Sequence, residues 1–257
     1  MHSLIPIYLT DSVTSTPALT TANQTSQTAG DVADNYTMDA GNSTAANVHA
    51  LKTGYRHLDS ARAYGSEGPC GESIRQSKLP RSEVFVTSKV YQGGYDNTKQ
   101  AVADSLKETG LDYLDLYLIH SPYGGPEARK GAWRALVEAQ KEGKVRSLGV
   151  SNYGVHHLEE TEAYIKELEE QLGEGNGGVI SVGQWELHPW LKRKDIEAWC
   201  RQRNIVLEAY CPLVRGSRFE EAPLQPLTQK YNKSAAQILL RWSLQKVLFL
   251  SSLFINI

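Results

Sequence analysis

Asp59, Tyr64, Lys89 and His120 are the residues of this chain whose types and order could move a proton. A free tyrosine, with a pKa of about 10, is a slow proton donor at neutral pH. A lysine ammonium beside it favours the phenolate and makes the hydroxyl a better acid. At about 4 Å and an effective dielectric of 20 that attraction is on the order of 4 kcal/mol before desolvation is subtracted. Asp59 would pair with Lys89 and keep it charged, while His120 would orient a carbonyl oxygen toward Tyr64 or share its proton. Such a group suits adding a proton to a carbonyl oxygen while something else supplies hydride. Taken singly, a residue of each of these types at a strand end is more often a cap, a salt-bridge partner or a satisfied core group, so the case for chemistry rests on their joint placement.

The elements that would bring them together announce themselves by spacing. Asp59, Lys89, His120, Ser151, Gln184 and Tyr210 each sit where an apolar run ends, at steps of 30, 31, 31, 33 and 26 residues. That interval is about one strand plus its crossover helix, and side chains at the C-terminal ends of parallel barrel strands converge on one mouth. Strands are expected at 55–59, 84–89, 114–120, 145–151, 179–184 and 205–210, dense in Val, Ile, Leu and Tyr and several of them apolar almost throughout, as strands buried on both faces are. A helix capped by Asp96 or Asn97 should run to Thr109, with Gly110 ending it. Ser234 and Gln237 form a capping box ahead of an apolar face of Ala235, Ile238, Leu239 and Trp242. The acidic stretch 159–174 reads as a solvated outer helix.

The bulk properties agree with one barrel. The chain has 257 residues, against about 250 for a typical eight-unit barrel. Its 27 basic and 29 acidic residues leave a net charge of −2, with no basic stripe for nucleic acid, so a small neutral partner is expected. Cys70, Cys200 and Cys211 are too scattered for a disulfide framework, which points to a reducing, cytoplasmic setting. Residues 1–45 are rich in Ser, Thr, Asn and Ala, and the first Lys or Arg is Lys52. This segment is expected to be mobile, without the positive charge of a leader peptide, and its N-x-Thr triplets at Asn23, Asn35 and Asn42 read as chance. The apolar run 4–9 is too short to span a bilayer, and residues 46–257 form the folded domain.

Other chemistries find no foothold. No Gly-x-Gly-x-x-Gly turn follows a strand, and Gly65, Gly68 and Gly71 lack a phosphate-loop ending and read as turn residues. His156 and His157, adjacent in sequence, do not share a helical face, so no metal site is expected. There is no Gly-x-Ser-x-Gly elbow for a serine hydrolase.

Gly54-Tyr-Arg-His-Leu-Asp-Ser-Ala-Arg-Ala-Tyr64-Gly-Ser-Glu67, Thr87-Ser-Lys89, Leu118-Ile-His120-Ser-Pro122 and Gly149-Val-Ser-Asn152 resemble, in order and spacing, the aldo-keto reductases over residues 46–246. The resemblance implies a (β/α)8 TIM barrel that reduces aldehydes or ketones with NADPH and has no Rossmann domain. By the same resemblance Tyr64 is the general acid, Lys89 and Asp59 tune it, and His120 orients the carbonyl. Ser151, Asn152 and Gln184 match positions that hold the nicotinamide amide, and Tyr210 matches the ring stacked on it. Cys211, Pro212 and Leu213 begin the loop along the pyrophosphate, where a serine is frequent in place of Cys211. Tyr91 and Ser121, with Tyr123 and Trp185, are candidates for the substrate pocket, although plain packing accounts at least as well for Tyr91, Tyr123 and Trp185.

Two departures from the family pattern shape the expectation for the fold. The family's first strand has no counterpart in the polar stretch before Ala45, and after Lys246 the eighth strand, the segment gripping the adenosine 2′-phosphate and the substrate-covering tail are missing or replaced. The expected barrel is therefore incomplete, with 247–250 and 4–9 as candidate stand-ins for strands eight and one. NADH is accordingly kept open beside NADPH. The alternative to an active enzyme is a non-catalytic barrel with weak nucleotide binding or an interaction role.

Overall fold

The computed structural model describes residues 40–246 apart from Gln92, together with the short strand at 249–250. Its centre is an all-parallel sheet of seven strands in sequential order: β1 (His57–Asp59), β2 (Phe85–Val90), β3 (Leu114–Ile119), β4 (Val145–Ser151), β5 (Ile180–Glu186), β6 (Val206–Tyr210) and β7 (Phe249–Leu250). Six of these fall where the apolar runs place them. The seventh pairs Phe249 with Glu208 and Leu250 with Ala209, so the candidate at 247–250 does extend the sheet, as a two-residue strand. The candidate at 4–9 lies outside the described residues.

Helices α1 (Ala40–Lys52), α2 (Glu67–Ser77), α3 (Tyr95–Thr109), α4 (Gly125–Lys141), α5 (Val155–Leu172), α6 (Lys194–Gln202), α7 (Gln225–Tyr231) and α8 (Ala235–Gln245) occupy the connections. The sheet curls strongly. Asp59 on β1 and Gln184 on β5 are four strands apart, roughly 19 Å in a flat sheet at about 4.8 Å per strand. Their side chains nevertheless hydrogen-bond at 2.8 Å, and His57 on β1 reaches within 3.8 Å of Glu208 on β6. The fold is thus an incomplete (β/α)8 barrel.

Alternation within each strand divides the buried residues between two layers. His57, Asp59, Lys89, Gln184 and Glu208 meet inside the curl, whereas Val86, Tyr117, Val150 and Trp185 belong to the layer between strands and helices. β3 is buried at every position, which explains its nearly continuous apolar reading, and its one charged residue, Asp115, is paired with Arg81 at 2.7 Å. Three aromatic polar tips in the packed layer find partners: Tyr117 shares a 2.9 Å hydrogen bond with Ser105, Trp133 donates to the Gly177 carbonyl at 2.9 Å, and Trp185 donates to the Tyr153 carbonyl at 2.8 Å, whereas Tyr153 Oη and Trp199 Nε1 are buried with no hydrogen-bond partner among the described residues. Trp185 is therefore a core residue, and its candidacy for the substrate pocket fails because the residue after an inward Gln184 must face the helices.

Three local expectations change. α1 begins at Ala40, inside the segment expected to be mobile, and is held down by Leu51 in the core and by a 3.3 Å bond from Ser73 Oγ to the Thr44 carbonyl. α3 starts at Tyr95 with Gly94 as its cap, so neither Asp96 nor Asn97 caps it, although Gly110 ends it in the left-handed conformation as expected. Gly68 and Gly71 are helical residues of α2, and only Gly65 is a turn glycine, at φ 64°. Gly71 is required by packing: a Cβ there would lie 1.8 Å from the Thr109 carbonyl oxygen. The Ser234–Gln237 capping box forms as read, with Gln237 N donating to Ser234 Oγ at 3.3 Å and Ser234 N to Gln237 Oε1 at 3.0 Å.

Candidate active site

Asp59 ends β1, and the chain then turns through a short 3-10 segment, Arg62–Tyr64, that carries the tyrosine back over the sheet. Buried Glu67, at the start of α2, fixes this turn by accepting from Arg62 Nη1 at 2.6 Å and from Ser88 Oγ of β2 at 2.6 Å. A buried carboxylate bonded on both oxygens is a firm anchor, and a bond between Ser60 and Ser66 hydroxyls at 2.8 Å closes the loop.

Lys89, fully buried near the end of β2, donates to Asp59 Oδ1 and, at 3.0 Å, to the Ser60 carbonyl. Burial works most strongly against its charge, but the charge and hydrogen bond of Asp59, together with Tyr64 and Glu208, more than offset it and hold the lysine above its ordinary pKa. Its ammonium lies 5.0 Å from the centroid of the Tyr64 ring. Tyr64 Oη in turn stands 3.3 Å from His120 Nε2, with the two rings edge to face. Burial first, and the Lys89 charge second, push the His120 imidazole down to about 4, so it is neutral at physiological pH. Its Nδ1 is buried with no hydrogen-bond partner among the described residues. The four residues singled out by sequence therefore share one place.

The next three strand ends form a second group beside them. Ser151 Oγ donates to the Gln184 carbonyl at 2.9 Å. Asn152, at φ 61°, donates through Nδ2 to the His120 carbonyl at 3.0 Å and accepts from Tyr210 Oη at 3.0 Å. Gln184 commits its Nε2 to Asp59 Oδ2 at 2.8 Å and to Glu208 Oε2 at 3.1 Å, which leaves its amide oxygen without a donor among the described residues. Free oxygen, neighbouring amide and the half-buried Tyr210 ring together suit a flat, carboxamide-bearing group. Cys211, at φ 50°, and Leu213 follow Tyr210 into the tight turn Val214–Gly216. Burial raises the Cys211 thiol above its ordinary value, partly offset by a hydrogen bond from Arg215.

Two candidates for the outer pocket stay with the site. Tyr91 is 45% exposed, with its ring 5.7 Å from that of His120 and 5.8 Å from that of Tyr123, while Ser121 is mostly covered. Gly149 of β4 also acquires a reason. A Cβ there would stand 2.1 Å from the Val182 carbonyl oxygen and 2.7 Å from Leu118 Cδ2, so the β4–β5 approach that sets Ser151 beside Gln184 admits no side chain.

Sequence reasoning overlooked Glu208. It lies two residues before Tyr210 on β6, directly opposite Gln184, so strand alternation alone would have faced it inward. With His57 and Asp59 it forms a group whose ligand atoms lie within 4.8 Å of one another, although no metal grouping was expected. Both Asp59 oxygens are already engaged, by Lys89 and Gln184. The Lys89 ammonium supplies the positive charge there, so no ion is needed to explain the cluster. Among the described residues no helix is long and apolar enough to cross a membrane.

Comparison with known proteins places this geometry. The Aldo/keto reductase family model matches residues 22–253. Glyoxal reductase of Bacillus subtilis is 41% identical over 215 residues, covering 82% of this chain and 72% of that protein. Methylglyoxal reductase DkgA of Escherichia coli is 35% identical over 197 residues, covering 76% and 68%. The crystal structure of an aldo/keto reductase from Brucella melitensis superposes with a TM-score of 0.73 at 34% identity, covering 84% of this chain and 79% of that one. The chain belongs to the aldo/keto reductase family.

Proposed function

We propose that this chain reduces aldehydes or ketones to the corresponding alcohols, with Tyr64 as the proton donor. The observation that carries the reading is the part-buried array in which Asp59 holds the buried Lys89, Lys89 faces the Tyr64 ring, and Tyr64 meets a neutral His120. The cofactor is a nicotinamide dinucleotide, NADPH by family resemblance, and when bound it supplies the hydride.

Ser151, Asn152 and Gln184 would hold its carboxamide, Tyr210 would lie against its ring, and Cys211 and Leu213 would line the loop beyond. Lys89 favours the phenolate and so helps Tyr64 release its proton onto the carbonyl oxygen. Neutral His120 can donate or accept at Nε2, which lets it hold that oxygen beside Tyr64 without competing as an acid. Tyr91 and Ser121 would bound the substrate. The names of two relatives make small dicarbonyls such as methylglyoxal the natural first substrates, and the free, scattered cysteines accord with a cytoplasmic setting. No observation favours the non-catalytic alternative.

Tyr64→Phe tests the reading. Turnover of methylglyoxal with NADPH or NADH should fall by about 10²- to 10⁴-fold, the range for loss of a general acid, with an unchanged urea midpoint. Undiminished turnover would refute it.

A further inference from the structure

Glu208 has no place in the proposed proton delivery, yet it is buried inside the barrel beside it. Its Oε2 accepts from Gln184 Nε2 at 3.1 Å, while its Oε1 is buried without a hydrogen-bond partner among the described residues. The nearest charged or titratable groups are His57, whose Nδ1 is 3.8 Å from Oε1, Asp59 across the shared amide, and Lys89 beyond Asp59. His57 is itself fixed by a 2.8 Å bond between Nε2 and Thr87 Oγ1. A buried carboxyl with one idle oxygen costs stability, so its presence calls for a reason outside the packing.

The reason lies in the two-acceptor arrangement. An amide nitrogen carries two N–H bonds, and here each has a carboxyl oxygen to itself, one on Asp59 and one on Glu208. An amide held at both N–H bonds cannot flip, and its oxygen is then the only polar atom left for a ligand. We propose that Glu208 is a positioning residue for the cofactor site: with Asp59 it locks the Gln184 amide so that its oxygen, and never its nitrogen, meets the bound dinucleotide. Burial first, and Asp59 second, push the Glu208 carboxyl above its ordinary pKa. A protonated carboxyl still accepts through its carbonyl oxygen, so the lock holds in either state. The selection that follows is for a ring substituent bearing an N–H donor. This inference rests on the reductase reading above.

The test is binding, measured by calorimetric titration of NADP⁺ and of its 3-acetylpyridine analogue, whose acetyl group has no N–H to offer. Wild-type protein should bind NADP⁺ about five- to tenfold more tightly than the analogue, the worth of one hydrogen bond. Glu208→Met keeps the length and removes the acceptor, and should shrink that ratio to about twofold or less. Glu208→Gln retains an acceptor oxygen and should restore the ratio, a rescue that a purely steric role would not need. Glu208→Ser, too short to reach the amide, replaces the methionine variant if the latter does not fold.

Persistence of the full ratio in the variant that lacks the acceptor, or absence of any ratio in the wild type, would overturn the lock while leaving the reductase reading standing. Failure of the wild type to bind NADP⁺ or NAD⁺ at all would instead overturn that reading, and the lock with it.

Discussion

Lys89→Met isolates the electrostatic centre of the site. The methionine preserves length and burial but deletes the ammonium that bonds Asp59 Oδ1 and the Ser60 carbonyl. Among the described residues Asp59 is then left with the 2.8 Å bond from Gln184 as its remaining hydrogen bond, on a side chain only 6% exposed. Breaking one half of a buried ion pair costs about 3–5 kcal/mol, because the surviving charge has lost its compensation. Replacing both halves, in Lys89→Met with Asp59→Asn, removes the stranded charge and should bring stability back to within about 1–2 kcal/mol of wild type. Urea unfolding at pH 7 measures each corner of the cycle, the midpoint multiplied by a common slope giving the free energies. Turnover should fall in both the single and the double variant, since neither retains the ammonium beside Tyr64. A single variant costing less than about 1 kcal/mol, or a double variant no more stable than the single one, would refute the claim that the pair is a buried, mutually compensating unit.

Besides the losses foreseen for Tyr64→Phe and the altered cofactor discrimination of Glu208→Met, two predictions concern stability. With His120 held at about 4 in the fold against 6.5 in the unfolded chain, the unfolded state binds the extra proton between those values, so stability falls as pH falls from 6.5 toward 4. The loss amounts to about 3 kcal/mol, and the difference between wild type and His120→Asn in urea midpoints at pH 7 and pH 4.5 should reveal it; parallel losses in the two proteins would contradict it. The helical glycines of α2 should part company. Gly71→Ala forces a Cβ against the Thr109 carbonyl and should cost about 1–3 kcal/mol, whereas at Gly68 the nearest atom would be 3.8 Å away and alanine should stabilise by about 0.4–1 kcal/mol in thermal melts.

Much of this protein is written in its linear order. Runs such as Leu114–Ile119 and Val145–Ser151 are legible as strands because parallel strands covered on both faces are mostly apolar, with Asp115 and Arg146 as the charged interruptions, and their regular spacing implies crossover helices and a shared mouth. The types and places of Asp59, Tyr64, Lys89 and His120 were legible for the same reason: each lies near the C-terminal end of a strand or just beyond it, where a barrel gathers side chains. The sequence alone could not show that Gly71 serves a helix crossing rather than a turn. Its requirement comes from the Thr109 carbonyl, 38 positions along the chain, and not from its own φ. Nor was Trp185 placed in the core, because the expected strand stopped at Gln184, whereas β5 runs on to Glu186 and its alternation turns Trp185 toward the helices.

The curl of the sheet decided the rest. It brings β1 against β5 and β6, so Asp59, Gln184 and Glu208, up to 149 residues apart, share two hydrogen bonds. The residues that could do chemistry were determined by the sequence; which of them hold one another in place was determined only when a twisted sheet curled back on itself, because a hydrogen bond between strands four places apart and a 3.8 Å contact between strands five apart cannot exist in a flat sheet.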